Sequence, residues 1–140
     1  MLLHPVVHLH VMRHGGFLYL QKRSLDKDIQ PGKWDTAVGG HVDFGEDIEE
    51  ALFREAREEL GLEGFTPEKL PPYVFQSDRE RELVNPFVVV LPDGVEPEPD
   101  PTEISEGHFW HIDEIEAKIG GNVFTPNFEN EFQIIKRYIK

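Results

Sequence analysis

Short apolar runs alternate with polar turns along the chain, a pattern that predicts a strand-rich fold. Two β-rich runs, Val6 to Arg13 and Phe17 to Arg23, flank His14-Gly15-Gly16 and predict a hairpin. After a polar loop that contains Pro31-Gly32, the residues from Trp34 to Val38 predict a short strand leading into a double glycine.

The segment from Asp47 to Leu60 has the clearest helical pattern, and Gly61 follows where a C-cap glycine belongs. Its apolar residues recur at helical spacing and can pack on a sheet: Ile48, Leu52, Ala56 and Leu60. A final helix is predicted from Thr125-Pro126, because aromatic and aliphatic residues recur at helical spacing after it.

Three further strands are predicted between these helices, at Tyr73 to Gln76, Glu82 to Leu91 and Ile104 to Ile112, with a short helical turn opening at Asp113. Strands therefore precede and follow a helix in mixed order. This order predicts an α/β fold, an α/β/α sandwich with a central mixed sheet, formed by residues 1–140 as a single domain.

The composition of the chain argues against several classes of partner and of chemistry. The formal net charge of −13 argues against a nucleic-acid polymer or an anionic membrane as the partner, since both attract basic surfaces. No apolar run approaches the length of a membrane span, and the first residues do not resemble a signal peptide. The absence of cysteine excludes disulfides and thiol nucleophiles and is compatible with a cytoplasmic location.

Carboxylates are concentrated on the predicted helix and its approach, where residues 46–59 hold seven acids and two bases. Glu55, Glu58 and Glu59 stand three and four residues apart, so they share one face of a helix. Carboxylates aimed at one point repel each other unless a hard divalent cation such as Mg²⁺ or Mn²⁺ binds among them. A solvated acidic helix with internal ion pairs is the alternative.

Residues 40–62 contain a motif with many fixed positions at fixed spacing. Its members are Gly40, Glu46, Arg54, Glu55, Ala56, Glu58, Glu59, Gly61 and Leu62. This motif resembles the Nudix box in full, and the order of predicted strands around it is similar to the Nudix fold.

The resemblance implies an enzyme that cleaves a phosphoanhydride bond, with water as the attacking group and a divalent metal as cofactor. By position, Glu55, Glu58 and Glu59 would bind Mg²⁺ or Mn²⁺, and Arg54 would orient a carboxylate. Glu46 would anchor the loop to the helix, and Gly40 would allow the bend. The implied substrate is a nucleoside diphosphate linked to another group, or a related small diphosphate.

The stretch before the box is similar to a branch of the Nudix fold, the isopentenyl diphosphate isomerases. Arg23 and Lys27 take the places of two diphosphate-binding residues of that branch, and His4 and His41 those of two metal ligands. Gly39 takes the place of the catalytic cysteine, so isomerisation by that mechanism is not available. A solvated hairpin end is the alternative for Arg23 and Lys27.

Other assignments stay open. Glu59 and Glu106 are rival candidates for the general base, because a loop glutamate outside the box often activates water in Nudix enzymes. His8 and His10 lie on the same strand face as His4 and could be metal ligands or a buried polar cluster. A non-catalytic sensor domain is a third functional class, and a homodimer is one option for assembly.

Overall fold

Eight strands and three α-helices form the described part of the computed structural model, which covers residues 2–25, 30–102 and 106–140. The strands are β1 (His4–Arg13), β2 (Phe17–Lys22), β3 (Trp34–Thr36), β4 (Val38–His41), β5 (Glu68–Lys69), β6 (Tyr73–Gln76), β7 (Arg81–Val90) and β8 (Glu106–His111). The helices are α1 (Ile48–Leu60), α2 (Ile112–Lys118) and α3 (Pro126–Ile135), and a 3₁₀ turn (Lys136–Tyr138) follows α3. None of the helices described is long and apolar enough to cross a membrane.

The strands form one mixed sheet with β1 near its centre. β1 runs parallel to β7, from His4 opposite Glu82 to Met12 opposite Val90, and antiparallel to both β2 and β4. In the β4 pairing, Val6 lies opposite His41. The double glycine of β4 and the first residues of β7 therefore flank the same end of β1.

Helices cover the two sides of this sheet. One core cluster joins the alternate β1 residues Val7, Leu9 and Val11 to the apolar side of α1. The other joins Met12 and residues of β2 to the apolar side of α3 and to Ile115 of α2. This arrangement confirms the predicted α/β/α sandwich with a mixed sheet. Each large side chain buried here contributes roughly 1.5–3 kcal/mol to folding.

Helix α1 begins and ends as the sequence predicts. Asp47 is its N-cap: the side chain accepts a hydrogen bond from Glu50 N at 2.8 Å, and the Glu50 side chain accepts one from Asp47 N at 3.1 Å. This reciprocal pair is a capping box. Gly61 is the C-cap with φ of 63°, a left-handed conformation that favours glycine.

Two strand predictions are corrected, and one strand was not predicted. The single strand predicted from Trp34 to Val38 is wrong, because the chain changes partner at Ala37: β3 pairs with β2, and β4 pairs with β1. The two-residue strand β5 was not predicted, since so short a run has no readable alternation. In the predicted strand from Ile104 to Ile112, Ile104 lies outside the described residues.

The last residue of that prediction, Ile112, belongs to α2. The helix starts there because His111 caps it, accepting a hydrogen bond from Asp113 N at 3.1 Å. The predicted opening at Asp113 is therefore one residue late, and the element is a seven-residue helix.

The capping box predicts a measurable loss of stability. We expect Asp47→Ala to lower the free energy of unfolding by about 1 kcal/mol, because it leaves a backbone N–H of the first turn without a partner. Urea unfolding measures this change. Glu49→Ala, in the same exposed turn but outside the capping box, is the control and should cost clearly less; equal losses would contradict the assigned cap.

Candidate active site

An open pocket of about 810 Å³ lies beside the glutamate-bearing face of α1. Residues from several parts of the chain line it, including Glu55, Glu58 and Glu59 of α1, Gly39, Gly40 and His41 of β4, Gln21 of β2 and Arg23 just after it, Asp35 and Thr36 of β3, and Glu80 and Glu82 near the start of β7. The register of β1 with β4 and β7 brings these segments to one end of the sheet. The pocket is thus the place where the predicted carboxylate face meets the double glycine.

Glu59 is the most deeply placed of the three helix glutamates. Its Oε2 atom is buried without a hydrogen-bond partner, and its Oε1 accepts a bond from Gln21 Nε2 at 3.3 Å. Burial, followed by the hydrogen bond and charge of Glu55, raises the pKa of Glu59 to about 9. Glu59 therefore favours its protonated form at neutral pH in metal-free protein.

The pocket offers oxygen ligands for a divalent cation, although among the described residues only His8, His10 and Glu131 bring three donor atoms within 4.8 Å of one another. The unpartnered oxygen of Glu59, the neighbouring carboxylate of Glu55 and the partly exposed carboxylate of Glu58 offer oxygen ligands from one helix face. Hard cations such as Mg²⁺ prefer oxygen ligands and keep some of their waters, which the open pocket allows. A bound cation would also favour the ionised form of Glu59, against the burial and the Glu55 charge that raise its pKa.

Arg54 donates hydrogen bonds to the carboxylates of Glu46 and Glu55. Its Nε and Nη2 donate to the two oxygens of Glu46 at 2.7 and 2.9 Å, and its Nη1 donates to Glu55 Oε1 at 2.7 Å. Nη2 also donates to the backbone oxygen of His41 at 3.1 Å. The bond from Arg54 lowers the pKa of Glu46 to about 2, so this pair is ionised at neutral pH.

Glu58, four residues after Arg54 on the same helix, also pairs with it, as that spacing allows. The distance from Arg54 Nη1 to Glu58 Oε2 is 3.4 Å, and the Glu58 side chain is 55% exposed. This contact is longer than those of Arg54 with Glu46 and Glu55. The guanidinium ties the loop before α1, through Glu46, to the carboxylate of Glu55.

Gly40 makes room for that carboxylate. A Cβ atom at position 40 would lie 2.2 Å from Glu55 Cδ, whereas one at position 39 would lie 3.5 Å from the nearest atom of His8. The first distance is a clash and the second is an ordinary contact. Only the second glycine of the pair is thus required by the position of a helix glutamate.

The sequence pattern of the NUDIX domain family matches residues 2–129. The chain belongs to this family. Family membership supports a hydrolase that acts on diphosphate bonds.

Among its relatives, the isopentenyl-diphosphate Delta-isomerase of Rhodobacter capsulatus is 32% identical over 130 residues, which cover 88% of this chain and 73% of the isomerase. A solved structure of a Deinococcus radiodurans protein superposes with a TM-score of 0.76 at 26% identity, over 97% of this chain and 82% of that one. The MutT protein of Methanosarcina mazei superposes with a TM-score of 0.78 at 21% identity, over 99% and 96% of the two chains.

Of the two residues predicted to bind a diphosphate, only Arg23 lies in the described part of the chain. Arg23 lines the pocket, with Nη1 3.5 Å from Asp35 Oδ2. Asp35 is held in turn by Thr36 N at 2.7 Å and by Thr125 Oγ1 at 3.1 Å. Lys27 lies outside the described residues.

The predicted histidines sit around the same end of the sheet. His41 lines the pocket, and its ring centroid is 6.4 Å from that of His4. His8 also lines the pocket, whereas His10 is fully buried behind it. Glu82, across the β1–β7 pairing from His4, has a raised pKa because of burial and the neighbouring charge of Glu80.

Glu106 is not among the residues that line the pocket. It is the first residue of β8, where it pairs with Lys22, and its side chain is 53% exposed with an oxygen 3.9 Å from His108 Nδ1. The structure thus brings Glu59 to the pocket and leaves Glu106 at a strand edge. Glu106 as the general base stays a prediction, and the pocket lining favours Glu59.

Several pocket residues escaped the sequence reasoning, among them Asp35, Asp100 and Gln21. Asp100 lines the pocket from the proline-rich loop, and its backbone N–H donates to Glu59 O at 3.0 Å. Its Oδ1 accepts from Thr102 N and Oγ1, and these bonds lower its pKa. The Asp-Pro-Thr sequence was a readable turn signal. Gln21 is a polar residue on a strand, and no sequence signal indicated that it lines the pocket.

The two glycines predict different outcomes of the same substitution. We expect Gly40→Ala to displace the Glu55 carboxylate and weaken Mg²⁺ or Mn²⁺ binding by about tenfold or more. The melting temperature should change little, since the clash is with the end of a flexible side chain. Gly39→Ala is the matched control and should keep its metal affinity, measured by calorimetric titration. Equal losses in both variants would contradict this reading.

The raised pKa of Glu59 predicts a pH dependence in metal-free protein. The folded state holds this proton up to about pH 9, whereas an unfolded chain releases it near 4.5. Between these values the folded state binds more protons, so the free energy of unfolding falls as the pH rises. We expect Glu59→Gln, which cannot ionise, to reduce this fall in urea unfolding with chelator present. An unchanged slope would contradict the protonation assigned to Glu59.

Proposed function

We propose that the protein is a divalent-metal-dependent pyrophosphohydrolase that cleaves a nucleoside diphosphate linked to another group, or a related small diphosphate, by attack of water. The observation that carries this proposal is the convergence of Glu55, Glu58 and Glu59 on one pocket, with a buried oxygen of Glu59 left unpartnered. Family membership supports the same chemistry.

Within this proposal, Glu55, Glu58 and Glu59 hold Mg²⁺ or Mn²⁺. Such an ion neutralises diphosphate oxygens and lowers the pKa of a bound water. Arg54 keeps Glu55 aimed at the pocket through the bond at 2.7 Å, and Gly40 lets the backbone approach without displacing it. Glu46 fixes Arg54 from the other side.

Glu59 is our choice for the general base. It lies in the pocket and carries a buried, unpartnered oxygen, and a bound cation would favour its ionised form, the form that can accept a proton from water. Arg23 supplies positive charge at the same pocket, where its forked guanidinium suits a phosphate group. We assign Lys27 the same role on the strength of its spacing from Arg23 alone.

The assignment predicts a sharp loss of turnover. We expect Glu59→Gln to lower kcat by several orders of magnitude, because metal binding and proton removal both depend on this carboxylate. The measurement is product release from a panel of nucleoside, sugar and isoprenoid diphosphates with Mg²⁺ and with Mn²⁺. Glu49→Gln, an exposed glutamate on the same helix, is the matched control and should retain activity. A loss of tenfold or less in Glu59→Gln would place the base elsewhere.

A second candidate is an isopentenyl diphosphate isomerase-like activity, favoured by the identity to the Rhodobacter capsulatus isomerase. His41 and Glu82 line the pocket, which is compatible with it. The chain has no cysteine, and Gly39 stands in the place of that branch's catalytic thiol. Hydrolysis is therefore preferred.

Isotopes separate the two activities. In ¹⁸O-labelled water a hydrolase incorporates the label into a phosphate-containing product, whereas an isomerase releases no such product. In heavy water an isomerase introduces deuterium into isopentenyl diphosphate. Labelled phosphate product without deuterium uptake supports the hydrolase; deuterium uptake without label in a phosphate product would overturn it.

A further inference from the structure

A cluster of polar side chains, His8, His10, Tyr73 and Glu131, lies buried between β1 and α3. His8 Nδ1 is 2.9 Å from Glu131 Oε1, His10 Nε2 contacts Glu131 Oε2, and the Tyr73 hydroxyl donates to Glu131 Oε1. His10 and Glu131 are fully buried. The proposed hydrolysis assigns no role to any of these four residues.

The fold brings them together from distant parts of the chain. His8 and His10 are two residues apart on one strand and so project from the same face of the sheet, the face that Met12 shares with α3. Glu131 lies between the buried residues Phe128 and Phe132 on the apolar side of α3. A carboxylate on such a face is costly unless its charge is compensated.

The donor atoms have the spacing of ligands around one ion. One ring nitrogen of each histidine and a carboxylate oxygen of Glu131 all lie within 4.8 Å of one another. Zn²⁺ binds nitrogen and carboxylate oxygen at about 2.0–2.2 Å, so two ligands of one ion are separated by about 4 Å or less. The distance of 2.9 Å between His8 Nδ1 and Glu131 Oε1 falls inside this limit, and it is also the length of an ordinary hydrogen bond.

The chemistry of the donors distinguishes this cluster from the glutamate face of α1. Two imidazoles and one carboxylate suit Zn²⁺ and neighbouring transition metals, whereas Mg²⁺ prefers oxygen ligands alone. His8 is 12% exposed at its side chain and lines the pocket, which gives an ion a route to the cluster. Tyr73 donates to Glu131 and contacts Asn127 Oδ1 at 2.9 Å, which orients the carboxylate from outside the donor set.

We propose that His8, His10 and Glu131 bind one transition-metal ion of the Zn²⁺ class, at a site separate from the Mg²⁺ or Mn²⁺ of the glutamate helix. The competing reading is a cluster held by hydrogen bonds alone. That reading sets two imidazoles and the Tyr73 hydroxyl against the buried carboxylate, and neutral imidazoles give it no counter-charge. A divalent ion compensates the carboxylate directly.

The test uses the full chain, stripped with a chelator and returned to a buffer with excess Mg²⁺, which occupies the all-oxygen ligands. Co²⁺ is then titrated as a coloured probe, followed by competition with Zn²⁺. We expect one Co²⁺ per chain, with a visible ligand-field absorption that Zn²⁺ abolishes and further Mg²⁺ does not. A chain that binds neither Co²⁺ nor Zn²⁺ under these conditions overturns the proposal without any variant.

Variants locate the ion. We expect His10→Gln and Glu131→Gln each to weaken Co²⁺ binding by about a hundredfold or more, since changes outside the ligand set alone cost up to that much. His8→Gln, at the partly exposed position, provides the same test should a fully buried variant fail to fold. His14→Gln removes an exposed imidazole from the β1–β2 turn and should bind Co²⁺ as the unaltered chain does.

Glu59→Gln separates this site from the proposed hydrolytic one. It should leave Co²⁺ binding in excess Mg²⁺ unchanged, because Glu59 is not part of the cluster. Co²⁺ that is lost in Glu59→Gln and kept in His10→Gln would belong to the glutamate helix and would overturn the proposal. The readout is metal binding, so failure of the hydrolase assignment would leave this result unaffected.

Discussion

Repulsion among carboxylates gathered at one pocket is the constraint on which the rest of the site depends. Glu55 and Glu59 lie so close that, without a cation, burial and mutual charge raise the pKa of Glu59 to about 9. The fold tolerates this pair because Arg54 neutralises Glu46 and Glu55 from behind. Because Gly40 has no side chain, the Glu55 carboxylate can occupy the space that a Cβ atom would take. The glycine, the arginine and the glutamates thus form one arrangement, and we propose a divalent cation as its missing partner.

Two kinds of donor set lie close together in this molecule. The glutamate helix offers oxygen atoms at an open pocket, whereas His8, His10 and Glu131 offer nitrogen and oxygen atoms in a nearly closed interior. The first favours a hard ion that keeps water ligands and can meet a diphosphate. The second favours a borderline ion held by protein atoms. Because His8 borders the pocket, an ion bound there would also change the charge at the edge of the proposed substrate site.

Much of the site was readable in the sequence because its determinants are local. Helix α1, its C-cap at Gly61 and the shared face of Glu55, Glu58 and Glu59 follow from spacing within about four turns of helix. The core face of that helix follows in the same way from its apolar period. The mixed sheet was predictable as a class, since strands precede and follow the helix.

What escaped prediction depends on distant pairing. The change of strand partner at Ala37 is decided by β1 and β2 together, and no residue near position 37 signals it. Glu131 meets His10 across 121 positions of sequence, so its burial could not be inferred from α3 alone. The contacts of Arg54 also depend on a distant segment. Helical spacing allows it to pair with Glu58, but the shorter bond goes to Glu46, in the loop before the helix.

Metal binding by the glutamates of α1 is tested most directly by locating Mn²⁺ in crystals through its anomalous scattering. We expect an anomalous peak in contact with the carboxylates of Glu55, Glu58 and Glu59, beside Gly40. Crystals of active protein soaked with Mn²⁺ that show no peak at these carboxylates would contradict it, because the acidic face of α1 would then be only a solvated surface.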